Sequence, residues 1–139
     1  MGMREFADHI IATAQKNDKE ITNLQLQKIM YFSLKHMKEK KLLSYERLNE
    51  IYDEPFLVWA YGPVIKSQYE RFKRFSSSPI LGVFEYDETL SSLESIILEE
   101  LNKKVSNLIT KSHQIEFWKK NKDKIKGFRS NIAYSFGDI

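Results

Sequence analysis

The chain contains no cysteine in 139 residues. That one absence excludes a disulfide framework, a thiolate metal site and a cysteine nucleophile, and it fits a cytoplasmic protein. Glycine is scarce: there are five, and no two share a motif, so neither a phosphate-cradling loop nor a G-x-S-x-G elbow is present. Histidine is scarcer. His9, His36 and His113 stand apart, and none belongs to an H-E-x-x-H pattern. No metal and no cofactor are therefore expected. The carboxylate pairs Asp53-Glu54 and Glu99-Glu100 are sequence neighbours. Adjacent side chains diverge on a helix or strand, so these make poor acid–base partners. No apolar run is long enough to span a bilayer. Met1 to Gln15 has Asp8 and His9 in its middle and lacks the apolar core of a signal peptide. Phe6 stands where a myristoylation signal places Ser or Thr. Neither enzymatic chemistry nor a membrane partner is expected from these residues.

What is present is one long, dense apolar stretch. With 42% apolar and 29% charged residues, the composition is that of a folded globular chain, and the length suits a single domain over residues 1–139. From Thr22 to Met37 the sequence reads TNLQLQKIMYFSLKHM. Placed at about 100° per residue, Leu24 and Tyr31 fall on one side and Leu26, Met30 and Met37 on the other, with Ile29, Phe32 and Leu34 between. A helix apolar nearly all round has no face for water and belongs in the middle of a domain. Thr22 or Asn23 is placed to cap its first turn, and the lysines from Lys35 to Lys41 suit its negative end. The expected fold is mainly α: a compact single-domain helical bundle around this central buried helix, with at most a small β element.

Other elements follow from spacing and punctuation. Phe6, Ala7, Ile10, Ile11 and Ala14 predict a first helix over Met3 to Gln15. Ser44 predicts a short capped helix to about Glu50. Glu54 to Tyr61 is rich in β-formers, and Gly62-Pro63 is expected to close it, with Pro63 in the first turn of the next helix. Ser76 to Pro79 reads as a loop and Ile80 to Tyr86 as an extended passage. Asp87 or Thr89 is placed to cap one amphipathic helix through Leu90, Leu93, Ile97, Leu101, Val105 and Leu108. A basic helical segment, Ile115 to Lys126, is expected to end at Gly127, and Asn131 to Ile139 shows no period.

Two blocks stand out together. The first is LQLQKIMYF within the central helix. The second, some distance on, is VWAYGPVIKSQYERFK. Leu24, Leu26, Gln27, Lys28, Tyr31 and Phe32, followed by Trp59, Tyr61, Gly62, Pro63, Val64, Tyr69, Phe72 and Lys73, resemble the motifs of the Panacea or SocA-like antitoxin domain family, long known as phage-associated proteins. Val58 replaces the alanine usual in that family. Near the end, Ser112, His113 and Trp118 resemble its (Ser/Thr)-His-x-x-x-Trp element with one residue more between them. The resemblance covers roughly residues 5–120. It implies a mainly helical domain, found in many prophages, that binds and neutralises a toxin encoded next to it, by direct contact or as an adaptor presenting that toxin to a cellular protease. Those same motif residues also suit a purely architectural role, as buried anchor, turn and helix start.

Charge supplies the alternative. Residues 1–100 carry 13 basic and 16 acidic side chains, and residues 101–139 carry 9 and 3, so the last third is net +6. Lys119, Lys120, Lys122, Lys124, Lys126 and Arg129 cluster there. A phage-associated regulator binding nucleic acid through this segment is the second reading, although no helix-turn-helix signature accompanies it. A hydrolase built on His113 ranks behind both. For a protein partner, the helix after Pro63 interleaves aromatics with cations, and Lys66, Tyr69, Arg71 and Arg74 are the candidate contacts.

Overall fold

In the computed structural model, which describes residues 2–139, the chain is mainly helical. Helices α1 (Met3–Lys16), α2 (Asn23–Lys40) and α3 (Tyr45–Ile51) lead into a hairpin of β1 (Leu57–Trp59) and β2 (Gly62–Val64). Then come α4 (Lys66–Phe72), α5 (Glu94–Leu101), α6 (Val105–His113) and α7 (Glu116–Asn121). The only sheet among the described residues is this two-stranded antiparallel pair, in register Leu57 to Val64, Val58 to Pro63 and Trp59 to Gly62.

The central helix is where its composition places it. Leu26 through Leu34 are all buried, and α1, α3, α4, α5, α6 and β2 pack around α2. Its start is a reciprocal cap: the Thr22 hydroxyl accepts from the Gln25 N–H at 3.2 Å, and the Gln25 carboxamide accepts from the Thr22 N–H at 2.9 Å. Its end passes through Lys41 in a left-handed conformation, φ 52°. The same capping logic starts α3, where Ser44 accepts from the Arg47 N–H at 3.1 Å. A long-range version starts α1, where the Asp53 carboxylate accepts from the Met3 N–H at 2.9 Å.

Three expectations are corrected. The amphipathic run from Leu90 to Leu108 is not one helix. It is a 3-10 segment (Glu88–Leu93, capped by Asp87), then α5, a break at Asn102 to Lys104, then α6. The break lets α5 and α6 both lie against α2 while α6 also reaches β2. Leu90, Leu93, Ile97 and Leu108 are buried as the period requires, while Leu101 and Val105 at the break are half-exposed. Pro63 opens no helix. It sits in β2, where a missing N–H costs nothing on a short outer strand, and the helix starts three residues later. Gly127 ends no helix either. The basic segment is α7 plus a 3-10 turn to Lys124, and Gly127, φ 68°, shapes a tight turn bridged between Lys126 and Arg129.

The aperiodic C-terminal passage is ordered by the hairpin. The Val58 and Ala60 N–H groups donate to the Ile132 and Phe128 carbonyls at 2.9 and 2.8 Å, and the Tyr134 N–H donates to the Phe56 carbonyl at 2.9 Å. Tyr52 fastens the far end: its hydroxyl accepts from the Phe56 N–H and donates to the Tyr134 carbonyl. Residues whose partners lie seventy positions away need no local period. No helix among the described residues is long and apolar enough to cross a membrane.

Candidate functional site

Motif residues from both blocks meet at the hairpin. Gln27 and Lys28, on α2, meet β2. The Gln27 carboxamide oxygen accepts from the Ile65 N–H at 2.9 Å, and its nitrogen donates to the Asn23 side chain at 3.1 Å. The Lys28 ammonium donates to the Pro63 carbonyl at 2.8 Å and is wholly buried. Burial without a counter-ion draws its pKa down to about 7. Gly62 sits between Lys28 and α6 with φ 101°; a Cβ there would lie 2.3 Å from the Ser112 Oγ and 3.0 Å from the Lys28 Cε. Only glycine meets both the backbone angle and the space.

The other side of the hairpin is held by the last motif element. His113 donates through Nε2 to the Ala60 carbonyl at 2.8 Å, and the Trp118 indole donates to the Trp59 carbonyl at 2.9 Å. The two rings stack on each other, 3.7 Å apart and 11° from parallel. Burial, with Lys28 and Lys122 nearby, lowers the His113 pKa despite the Ala60 hydrogen bond, so the ring is a neutral donor. The Trp59 indole donates onward to the Ser130 carbonyl at 3.2 Å. These contacts satisfy partly buried backbone carbonyls at the turn. Leu26 and Tyr31 do not reach this region. Both lie in the core, Tyr31 edge-on to Phe56 and Tyr134.

Beside the hairpin lies a cleft of about 290 Å³, lined by Leu24, Gln27, Trp59, Val64, Tyr69, Tyr61 and Phe128. Tyr61 and Phe128 are 58% and 46% exposed, values uncommon for aromatics in a chain that buries most of its apolar side chains. The Arg129 guanidinium lies 4.4 Å over the Trp59 ring, 5.2 Å from Phe128 and 5.6 Å from Tyr69. Phe128 was not among the residues singled out in the sequence, and Arg129 stood there only as a member of the basic cluster; the available signal for the turn was Gly127.

The four candidate contacts, three on α4 and Arg74 on the 3-10 turn after it, separate. Lys66 and Arg74 are exposed, and Tyr69 is half-buried edge-on to Trp59. Arg71 is part of the frame: it pairs with Asp8 of α1 at 2.6 Å, donates to Gln68 at 3.1 Å and covers Phe72 and Phe84. Of the four, Arg71 is thus engaged across the α1 interface before any partner arrives.

The remaining histidines carry no site. His9 is buried, and its Nδ1 accepts from the Asp87 N–H at 2.9 Å, which makes it a neutral cap for the 3-10 segment. His36 is half-buried near the end of α2. Among the described residues no group of His, Asp or Glu is arranged to hold a metal ion. Compared with family models, curated proteins and solved structures, the chain matches none.

Proposed function

We propose that this chain is an antitoxin-like protein-binding module that neutralises a toxin encoded next to it, by direct contact or by presenting it to a cellular protease. One observation carries the reading: an exposed aromatic cleft stands on a braced frame. The hairpin is held by Lys28, Gln27, His113 and Trp118, and Tyr61 at its turn and Phe128 on the C-terminal turn tied to it remain open to solvent. A rigid scaffold offering aromatic anchors is the arrangement that concentrates binding energy at protein interfaces. The motif resemblance to Panacea and SocA-like antitoxins supports the same assignment and names the class of partner. No catalytic role is proposed, since the buried Lys28 and the half-buried His113 are both spent on backbone carbonyls.

The test is co-expression with the neighbouring open reading frame, scored for growth arrest by that frame alone, rescue by this chain, and co-purification. A harmless neighbour, or a toxic one neither rescued nor bound, refutes the reading. The nucleic-acid alternative draws on the lysines of residues 119–126, for which α7 offers only six residues of helix. That is under two turns, and it lacks the length of a groove-reading helix.

A further inference from the structure

We infer that the cleft beside the hairpin is the seat of an acidic partner segment, which sinks one apolar side chain against Leu24, Val64 and Trp59 and lays carboxylates along Lys126 and Arg129. The inference deepens the protein-binding reading and rests on it for the class of partner. Three observations carry it.

The first is the chemistry of the cleft. Apart from the two tyrosine hydroxyls, its polar lining side-chain groups are the Gln27 carboxamide and the Trp59 indole N–H, and both are used within the fold. A nucleobase placed there would leave its edge unpaired, a cost that an aliphatic or aromatic side chain does not carry. The volume, about 290 Å³, suits one large side chain rather than a metabolite.

The second is charge. No lining residue is acidic. The turn that supplies Phe128 also carries Lys126 and Arg129, and Lys122 lies close enough to His113 to influence its titration. Among the described residues no carboxylate pairs with Lys119, Lys122 or Lys126. The nearby acid, Glu70, is shared by Arg129 at 3.3 Å and Lys73 at 3.8 Å. A partner carboxylate displaces Glu70 from Arg129 at little cost, because that pair is solvent-exposed. Basic charge around an apolar pit favours an acidic segment both in encounter rate and in register.

The third is position. Tyr61 and Phe128 flank the cleft on two different segments tied by the Ala60 N–H to Phe128 carbonyl hydrogen bond. They form a preset mouth rather than two loose side chains, which spares the ordering cost of binding.

The experiment is selection of a random-peptide phage library on the purified chain. It is followed by titration of one selected peptide, made synthetically, against the wild type, Tyr61→Ala, Phe128→Ala and Lys126→Glu, read by tryptophan fluorescence, since Trp59 lines the cleft. The expected outcome is enrichment of acidic peptides around a large apolar residue, with affinity reduced about tenfold by Phe128→Ala and by Lys126→Glu. Circular dichroism and thermal melts confirm that the variants are folded; Phe128→Leu, which keeps an apolar side chain, is expected to restore part of the affinity if packing in the fold is at fault for the loss. Basic or uncharged enriched peptides, or affinities that ignore all three variants, overturn the inference. So does concentration-dependent dimerisation abolished by Phe128→Ala, which would make a second copy the occupant, or a single-stranded oligonucleotide that binds with the same variant pattern. The neighbour-gene assay separates the two proposals. Rescue unaffected by Tyr61→Ala and Phe128→Ala sinks the cleft and leaves the antitoxin reading, whereas acidic-peptide binding without any toxic neighbour sinks the antitoxin reading and leaves the cleft.

Discussion

Replacing Lys28 with methionine is predicted to change the sign of its effect on stability with pH. The ammonium is wholly buried, its one hydrogen-bond acceptor is the Pro63 carbonyl, and its pKa is drawn down to about 7. In the unfolded chain a lysine titrates near 10.4. Between those two values the unfolded state binds the proton and the folded state does not. Stability therefore rises with pH across that window, by about 1.4 kcal/mol per pH unit for one group. At neutral pH nearly the whole cost is present, on the order of 5 kcal/mol from the difference between the two pKa values. Methionine keeps most of the stem volume and removes the titration. It also leaves the Pro63 carbonyl without its donor, which costs about 1–3 kcal/mol. Lys28→Met should thus be more stable than the wild type near pH 7 by roughly 2–4 kcal/mol, the difference of those two terms. Near pH 10 it should be less stable, since only the lost hydrogen bond remains. Above pH 10, Tyr31, Tyr52 and Tyr134, whose burial raises their pKa values, lower stability in both proteins equally. Urea unfolding of both proteins at several pH values from 6.5 to 10 reads the crossing. Parallel stability curves would refute the reasoning, and would mean that Lys28 stays charged in the folded state with water or a counter-ion at its side.

Gly62→Ala should destabilise by more than the roughly 1 kcal/mol of a strained backbone alone, because its Cβ would also meet the Ser112 Oγ; an unchanged melting temperature would contradict that geometry. Arg71→Glu should cost about 2 kcal/mol through its charged hydrogen bonds, with part recovered by adding Asp8→Arg; additive losses in that double-mutant cycle would dissociate the pair. His9 and His113 should both titrate below free imidazole in a proton NMR titration, since burial is the leading cause of each lowered pKa; stability should accordingly fall as pH drops below about 6.5. Binding to random-sequence DNA should be weak and disappear toward about 0.2 M salt, as expected for lysine–phosphate contacts alone; tight, sequence-selective binding at that salt would promote the regulator reading.

Much of the scaffold was legible in the residues. The all-round apolar stretch from Leu26 to Leu34 had to lie in the middle of a domain, and Thr22 or Asn23 and then Ser44 were placed to start helices, because periodicity and capping are properties of neighbours in sequence. The same local rules misread Pro63 and Gly127. Each is compatible with more than one backbone role, and the choice is made by partners far along the chain: α2 for β2, and Trp59 and Ala60 for the turn at Phe128. The long amphipathic run was read as one helix because its period survives the break at Asn102, where packing on α2 and β2 bends the chain. Nor could spacing disclose that Lys28 is buried against a carbonyl or that Arg71 is held by Asp8, since neither partner is near in sequence. What the sequence determined by itself is therefore the helical core and its caps, which depend on contacts a few residues apart. Only the tertiary structure decided that Gln27, Lys28, Trp59, Gly62, His113 and Trp118 form one braced hairpin, and that Tyr61, Phe128 and Arg129 share its open face, because hydrogen bonds and ring contacts spanning tens of residues are set by the packing of the whole chain.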